Sequence, residues 1–168
     1  MCIRDSLGMR PDDERIPDSF EIARKMGLSY SFGIANLTSA HPNSVVLEVK
    51  GKSGRTLEVQ ACSLGGGRIM INRLDGLDVN CSCEIPTLIV HNLDQPGHVA
   101  EVTSMLAHKS VNIANMSLYR DKRGGSAVMV VEMDQPLPKE SLEWLEHLEG
   151  IVKVTYINVT EGEEDDVL

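Results

Sequence analysis

Hydrophobic and polar positions are most regularly spaced in the second half of the chain. Thr87-Leu-Ile-Val90 is nearly all apolar and predicts a short buried strand. Asp94-Gln-Pro-Gly97 ends it, and Val99, Val102, Met105 and Leu106 then share one face of a helix from about His98 to His108. Between Asn112 and Arg120 the period falls to two, with Ala114, Met116 and Leu118 set against Asn115, Ser117 and Tyr119. Asp121-Lys-Arg-Gly-Gly125 predicts a hairpin loop and Ser126–Met133 the returning strand. Pro138 begins a second helix with Leu142, Leu145 and Leu148 inward, Gly150 stops it at a C′ position, and Val152–Val159 is the last strand.

The first half opens irregularly through Pro11 and Pro17. Pro17 or Asp18 starts a helix with Phe20, Ile22, Ala23 and Met26 on its inner side and Gly27 as its stop. Ser29–Ala35 is a possible strand. Ser44–Lys50, Arg55–Ala61, Arg68–Arg73 and Leu77–Cys83 are short strands separated by Gly51-Lys-Ser-Gly54, Gly65-Gly66-Gly67 and Asp75-Gly76. That spacing predicts an antiparallel meander packed on the helix. The two parts join near Glu84-Ile85-Pro86. Beyond the joint the order β-α-β-β-α-β predicts an α+β, ferredoxin-like domain of four antiparallel strands with both helices on one face.

Composition narrows the partners. The 168 residues suffice for two small domains; 42% are apolar, and aromatics are only 4%, so the core must rest on Val, Ile, Leu and Met. A net charge of −9 argues against nucleic acid or an anionic membrane face, which demand a basic surface. The acidic run Glu161-Gly-Glu-Glu-Asp-Asp166 reads as a solvated tail over residues 160–168. No apolar run approaches a bilayer span and the start lacks a signal-peptide core, so a reducing cytoplasm is expected, with Cys2, Cys62, Cys81 and Cys83 as thiols. Cys81 and Cys83, two apart on a strand, face one side, and His91 is a conceivable neighbour. The spacing fits no standard metal site, so small buried thiols are the expectation and no metal ligand is assigned. His108 and His147 read as dipole partners at helix C-termini.

The informative loop is Asn92-Leu-Asp-Gln-Pro-Gly-His98. A strand end there feeds a helix start, where unpaired N–H groups and the positive end of the helix dipole converge and suit a free carboxylate. Gly97 permits close approach of a ligand, and Asn92, Asp94 and Asn112 offer polar groups for an amino group and a hydroxyl. On spacing alone, Asp94-Gln-Pro-Gly97 reads first as a turn, with Asp94 and His98 helping to cap the helix.

Leu93-Asp-Gln-Pro-Gly97, the helix after it and Val111-Asn-Ile-Ala-Asn115 resemble the ACT domain, a small amino-acid-binding module. The resemblance implies a ligand held between two neighbouring domains, against the first strand–helix loop and the start of the next strand. The matching positions here are Asn92, Asp94, Gly97, His98, Asn112 and Ile113. A pocket half-built in one chain implies a dimer or a partner domain.

Leu7-Gly-Met-Arg-Pro-Asp-Asp13, Ile16-Pro-Asp-Ser-Phe20, Ala40-His-Pro-Asn43 and Ser63-Leu-Gly-Gly-Gly-Arg-Ile69 resemble the β chain of the iron–sulfur-dependent bacterial L-serine dehydratase. That family implies a partial α/β module of the allosteric-substrate-binding type over residues 7–84, followed by an ACT domain over 86–159. Residues 1–6 match nothing in the family, which also carries a further N-terminal segment. A truncated or artefactual start is therefore expected, leaving an exposed apolar face or sheet edge. His41, Asn43, Gly65, Gly66 and Gly67 have two readings: a backbone anion cradle in the substrate module or at the contact with the catalytic chain, or simply tight turns. Three glycines alone match neither a dinucleotide fingerprint nor a P-loop.

The resemblance implies the regulatory β subunit of an L-serine ammonia-lyase, which converts L-serine to pyruvate and ammonia. It also implies an α-chain partner carrying a [4Fe–4S] cluster, with none bound here and no pyridoxal phosphate. No catalytic residue is assigned to this chain. The expected ligand is a free amino acid, L-serine by the same resemblance. The alternatives are a stand-alone amino-acid-binding regulator and the regulatory tail of a phosphoglycerate dehydrogenase, whose Gly-rich Rossmann turn is absent here.

Overall fold

The computed structural model describes residues 7–9, 12–37 and 40–158. The segment 1–6 with Cys2, as well as Pro11, Val159 and the acidic tail 160–168, lies outside the described residues. Contacts divide the chain into two units, Met1–Thr38 and Ser39–Leu168.

In the leading unit a 3-10 turn, Ile16–Asp18, passes into the helix α1 (Ser19–Lys25). Gly27, with φ 77°, ends it: its N–H donates to Arg24 O and the Leu28 N–H to Ala23 O, the paired bonds of a left-handed C-terminal cap. The buried stripe is narrower than expected. Ala23 is sealed and Ile22 half-buried, but Phe20 and Met26 are exposed, because two turns of helix present only one short row inward. The possible strand Ser29–Ala35 forms no ladder. Instead Tyr30 and Phe32 fold back on Phe20, with ring centroids 5.4 and 6.4 Å away.

The second unit contains β1 (Ser44–Lys50), β2 (Thr56–Gly65), β3 (Arg68–Leu74), β4 (Leu77–Cys81), β5 (Thr87–Leu93), α2 (His98–His108), β6 (Ile113–Arg120), β7 (Ser126–Met133), α3 (Lys139–Glu146) and β8 (Ile151–Ile157). The first four strands make an antiparallel meander in sequence order. Its tight hairpins turn through positive φ at Gly66 and Gly67 (63° and 79°) and at Asp75 and Gly76 (45° and 83°), as two-residue turns matched to the strand twist require. The second sheet has the order β6-β7-β5-β8, all antiparallel, so the expected ferredoxin-like βαββαβ arrangement is present.

The second sheet is buried on both faces, which is why Leu88-Ile-Val90 of β5 reads as an unbroken apolar run. Leu88, Val90, Met129, Val131 and Val154 meet Val102, Leu106 and Leu145 of the two helices. On the other face, Ile89, Val128 and Val130 meet Ile71, Leu74, Val79 and Cys81 of the meander. Each fully sealed Leu, Val or Met contributes roughly 1.5–3 kcal/mol by leaving water. The meander's inward residues, expected against the first helix, thus pack on a sheet.

Three local expectations are corrected. β4 ends at Cys81 rather than Cys83, because Cys83 takes φ 54° and leaves the ladder. Gly150 is not the C′ residue of α3: the cap is His147, and Gly150 (φ 81°) turns the chain into β8. The alternation of β6 breaks at a bulge between Ile113 and Asn115, which leaves Ala114 exposed while Ile113 and Met116 pack on the core.

Candidate functional site

At one end of the second sheet, β5 hands over to α2 through Asp94–Gly97. Gly97 is the N-cap with φ 112°, a conformation L side chains rarely adopt, and no side chain caps the helix. The N–H groups of the first turn of α2 therefore lack intrahelical partners and face the loop. Two side chains converge beside them. Asn92 follows the Leu88–Val90 alternation onto the helix face and is buried, 4% exposed; its Nδ2 donates to Leu93 O at 2.7 Å while its Oδ1 is buried without a partner. His98, 7% exposed, has Nδ1 3.3 Å from Glu101 Oε2 and a buried, unpartnered Nε2. Gly150 closes this corner. Its carbonyl accepts the Leu93 N–H at 2.9 Å, and a Cβ there would sit 2.6 Å from the His98 ring.

The remaining expected residues are committed elsewhere. Asp94 Oδ2 accepts from the Gly124 N–H at 2.9 Å and Arg120 Nη1 at 3.1 Å, pinning the β6–β7 loop to the β5–α2 loop. The Gly124 N–H, opposed by desolvation and helped by Arg120, holds its carboxyl below the usual carboxylate range. It caps no helix. Asn112 is exposed: its Nδ2 donates to Asp134 Oδ2 at 2.6 Å and its N–H to Gln135 Oε1 at 2.7 Å. Ile113 begins the edge strand β6 and is partly buried against the helices.

The second candidate group gathers at one end of the meander. The exposed His41 accepts the Asn43 N–H at Nδ1 (3.2 Å), and Asn43 O accepts the Ser63 N–H, two residues before Gly65. Gly65, Gly66 and Gly67 all have positive φ. A Cβ on any of the three would meet nothing within 4 Å, so turn geometry alone calls for glycine there. His108 and His147 each place Nδ1 2.6 Å from the carbonyl four residues back, Ser104 and Glu143, where an N–H donates to the last turn of α2 and α3.

One constellation carries no sequence signal beyond a turn motif. His91 alternates to the meander face of β5, opposite Asn92, and pairs across the ladder with Lys153 of β8. Asp75, in the β3–β4 turn, reaches both: its Oδ2 lies 2.5 Å from Lys153 Nζ and 3.6 Å from His91 Nε2, while its Oδ1 accepts the Glu58 N–H at 2.8 Å. Burial works against the Asp75 carboxylate, but Lys153 and the Glu58 N–H outweigh it and pull the carboxyl below its ordinary value. Burial pushes the His91 imidazole down, as do Lys153 and Arg55, against the opposing pull of Asp75. A cavity of about 430 Å³ opens nearby, lined in part by Arg55, Glu146 and Lys153. Its cations are already engaged, Arg55 with Val154 O and Glu146, and Lys153 with Thr56 O and Asp75, so the β5–α2 corner remains the better candidate.

Cys81 and Cys83 place their sulfurs 3.0 Å apart in the buried joint between the sheets, and His91 turns to Asp75 instead of joining them. Two thiols fall short of the four thiolates an iron–sulfur cluster takes. Among the described residues no three metal-ligating side chains converge, so this donor set does not fit a cluster. No described helix is long and apolar enough to cross a membrane.

A family model described as the ACT domain matches residues 86–149. Over 145 residues the chain is 33% identical to a probable L-serine dehydratase, beta chain, of Bacillus subtilis, covering 86% of this chain and 66% of that protein. Over 154 residues it is 31% identical to the L-serine dehydratase, beta chain, of Peptoniphilus asaccharolyticus, covering 91% and 69%. A D-3-phosphoglycerate dehydrogenase of Methanocaldococcus jannaschii is 31% identical over 90 residues, 54% of this chain but 17% of that enzyme. The chain spans about two thirds of the length of the two β chains.

Proposed function

Since the chain belongs to the L-serine dehydratase β-chain family and carries an ACT domain, we propose that it is the amino-acid-sensing β subunit of an L-serine ammonia-lyase. The reaction centre, with its [4Fe–4S] cluster, belongs on a partner α chain in this reading. The observation that carries the sensing role is the pair of buried, unpartnered atoms Asn92 Oδ1 and His98 Nε2 beside the open N-terminus of α2. A buried polar atom left without a partner costs about 1–3 kcal/mol. In the tautomer that donates Nδ1–H to Glu101 Oε2, Nε2 of His98 is an acceptor. Two acceptors and a set of helix N–H donors complement an ammonium and a carboxylate, the two ends of a free amino acid.

L-serine is the proposed ligand, being the substrate named for the related enzymes. The β6 edge, with Asn112 and Ile113 at its head, is unpaired among the described residues and offers a ladder for a second ACT domain, which would supply the other wall. A ligand can regulate only through different affinity for two states, so the contact between domains is the proposed switch.

The test is titration calorimetry of the αβ complex with L-serine, alongside serine-dependent pyruvate release. Asn92→Leu and His98→Phe should each weaken binding by roughly tenfold or more, since a hydrogen bond to a charged group contributes about 1.5–3 kcal/mol. Unchanged affinity in both variants removes this site. Absence of heat with serine and with every other common amino acid removes the sensing role. A stable dimer that never takes up an α chain favours a stand-alone amino-acid regulator.

A further inference from the structure

The joint between the two sheets holds a chemical group that amino-acid sensing does not use. Cys81 closes β4, and two residues later Cys83 sits at φ 54°. On a regular strand, residues two apart lie about 6.6–7 Å from each other with parallel side chains, at the outer limit for a disulfide. The positive φ swings the Cys83 side chain out of that pattern and towards Cys81, leaving the sulfurs 3.0 Å apart. Closure to a disulfide needs a further approach of about 1 Å. Thr87, fully buried, lies against the pair while its hydroxyl donates to Ile85 O at 2.7 Å, and the Glu132 carboxylate lies beside it, held by Asn115 Nδ2 at 2.9 Å.

We propose that Cys81 and Cys83 form a reversible peroxide-reactive dithiol that closes to a disulfide across the joint between the meander and the ACT sheet. The two thiols are unequal. The Cys83 S–H hydrogen bond, against burial, pulls Cys81 below the usual thiol range, while Cys81 and burial push Cys83 up. In this proposal Cys81 is the attacking sulfur and Cys83 the resolving thiol. In the first step the Cys81 sulfur forms a bond to one peroxide oxygen, the O–O bond breaks, and hydroxide leaves and takes up a proton to become water. Cys81 is then a sulfenic acid. In the second step the Cys83 sulfur attacks the Cys81 sulfur, the S–O bond breaks, and the Cys83 proton leaves with that oxygen as a second water. In sum, two thiols and one hydrogen peroxide give one disulfide and two waters.

With Cys81 2% and Cys83 5% exposed, the oxidant this proposal calls for is little larger than water and not a bulky disulfide. The joint runs from Cys81 directly into β5, the strand that carries Asn92.

The full chain, reduced and then treated with hydrogen peroxide or with glutathione disulfide, is alkylated and digested with trypsin. Residues 74–109 form one tryptic peptide that contains Cys81 and Cys83 and no other cysteine. Peroxide should convert it to a form that takes up no alkyl group and is about 2 Da lighter than the free dithiol peptide, the loss of two hydrogens, and that dithiothreitol restores. Glutathione disulfide should act at least tenfold more slowly. In Cys83→Ser, denatured in a dione reagent directly after peroxide treatment, a sulfenic acid on Cys81 should be trapped, whereas Cys81→Ser should give far less adduct. A peptide that stays reduced in peroxide while other thiols oxidise overturns the proposal. So does oxidation that yields only irreversible acids or only cross-linked chains, and so does equal trapping in the two variants.

Discussion

Replacing Asp75 by Asn tests whether the charged cluster between the sheets holds them together. The amide keeps an acceptor for the Glu58 N–H, and Asn tolerates the left-handed φ of 45° as well as Asp does. What disappears is the charge facing Lys153, whose side chain is 15% exposed and retains only Thr56 O. Removing one member of a buried pair costs about 3–5 kcal/mol. Asp75 is 26% exposed, and solvent screening reduces this to about 2 kcal/mol. In a chain of this size that is a fall of about 4–8 °C in Tm. Lys153→Met should cost a similar amount, and the double variant much less than the sum, with a coupling of about 1–2 kcal/mol. Urea unfolding followed by circular dichroism reads all four proteins. A loss below about 0.5 kcal/mol for Asp75→Asn, or strict additivity in the cycle, refutes the reasoning and makes the cluster an ordinary surface pair.

Acid performs the same perturbation reversibly. Asp75 titrates below its ordinary 3.8, so its stabilisation is complete above that pH and is lost as pH falls through the lower folded value. His91 adds an earlier loss. Its folded value lies below the ordinary 6.5, so beneath that pH the unfolded chain binds a proton that the folded chain resists, and stability falls. Both groups act in one direction.

His91→Gln should flatten the pH dependence of unfolding just below pH 6.5 while leaving the loss below pH 3.8 in place; a slope as steep as the parent's in the upper window contradicts the assignment to His91. Gly150→Ala should destabilise by about 1–2 kcal/mol from its positive φ alone and should also displace the His98 ring, abolishing serine binding. Adding His98→Ala to that variant should relieve the steric part of the loss, leave the backbone part and not recover binding; calorimetry and urea unfolding separate the two effects. Asp94→Ala should speed hydrogen exchange at the Gly124 amide and weaken serine binding less than Asn92→Leu does; the reverse order of affinities would make Asp94 a ligand contact.

The strands and helices of the second unit were legible because each has a single strong period. The helix from His98 to His108 and the strands Ser44–Lys50 and Ser126–Met133 lie where the apolar spacing puts them. The errors fall where one backbone torsion or a distant partner decides. A positive φ at Cys83 cuts β4 short, and a bulge after Ile113 breaks the period of β6. The packing of the meander was hidden for a similar reason. The apolar positions Leu57, Val59 and Ile71 announce a buried face but not what covers it. In the candidate site, Asn92, Gly97 and His98 were identifiable from the strand-to-helix loop. The commitment of Asp94 to Gly124 and of Asn112 to Asp134 was not, since both contacts bridge more than twenty positions. Asp75, His91 and Lys153 show the same limit: each belongs to a different strand or turn, and only the stacking of two sheets brings them together.

That stacking would give the proposed sensor a physical route to the rest of the chain. His91 and Asn92 are neighbours on β5 and point to opposite faces, and the ladder to β8 shifts register between them. A ligand that supplies the missing partners of Asn92 and His98 on the helix face tightens the same strand end that holds His91 against Asp75 on the meander face. Coupling is reciprocal, so a change on the meander side must alter ligand affinity by the factor with which the ligand alters the meander side. Asp75→Asn touches no atom of the proposed pocket, and a shift in serine affinity in that variant would therefore measure the transmission itself.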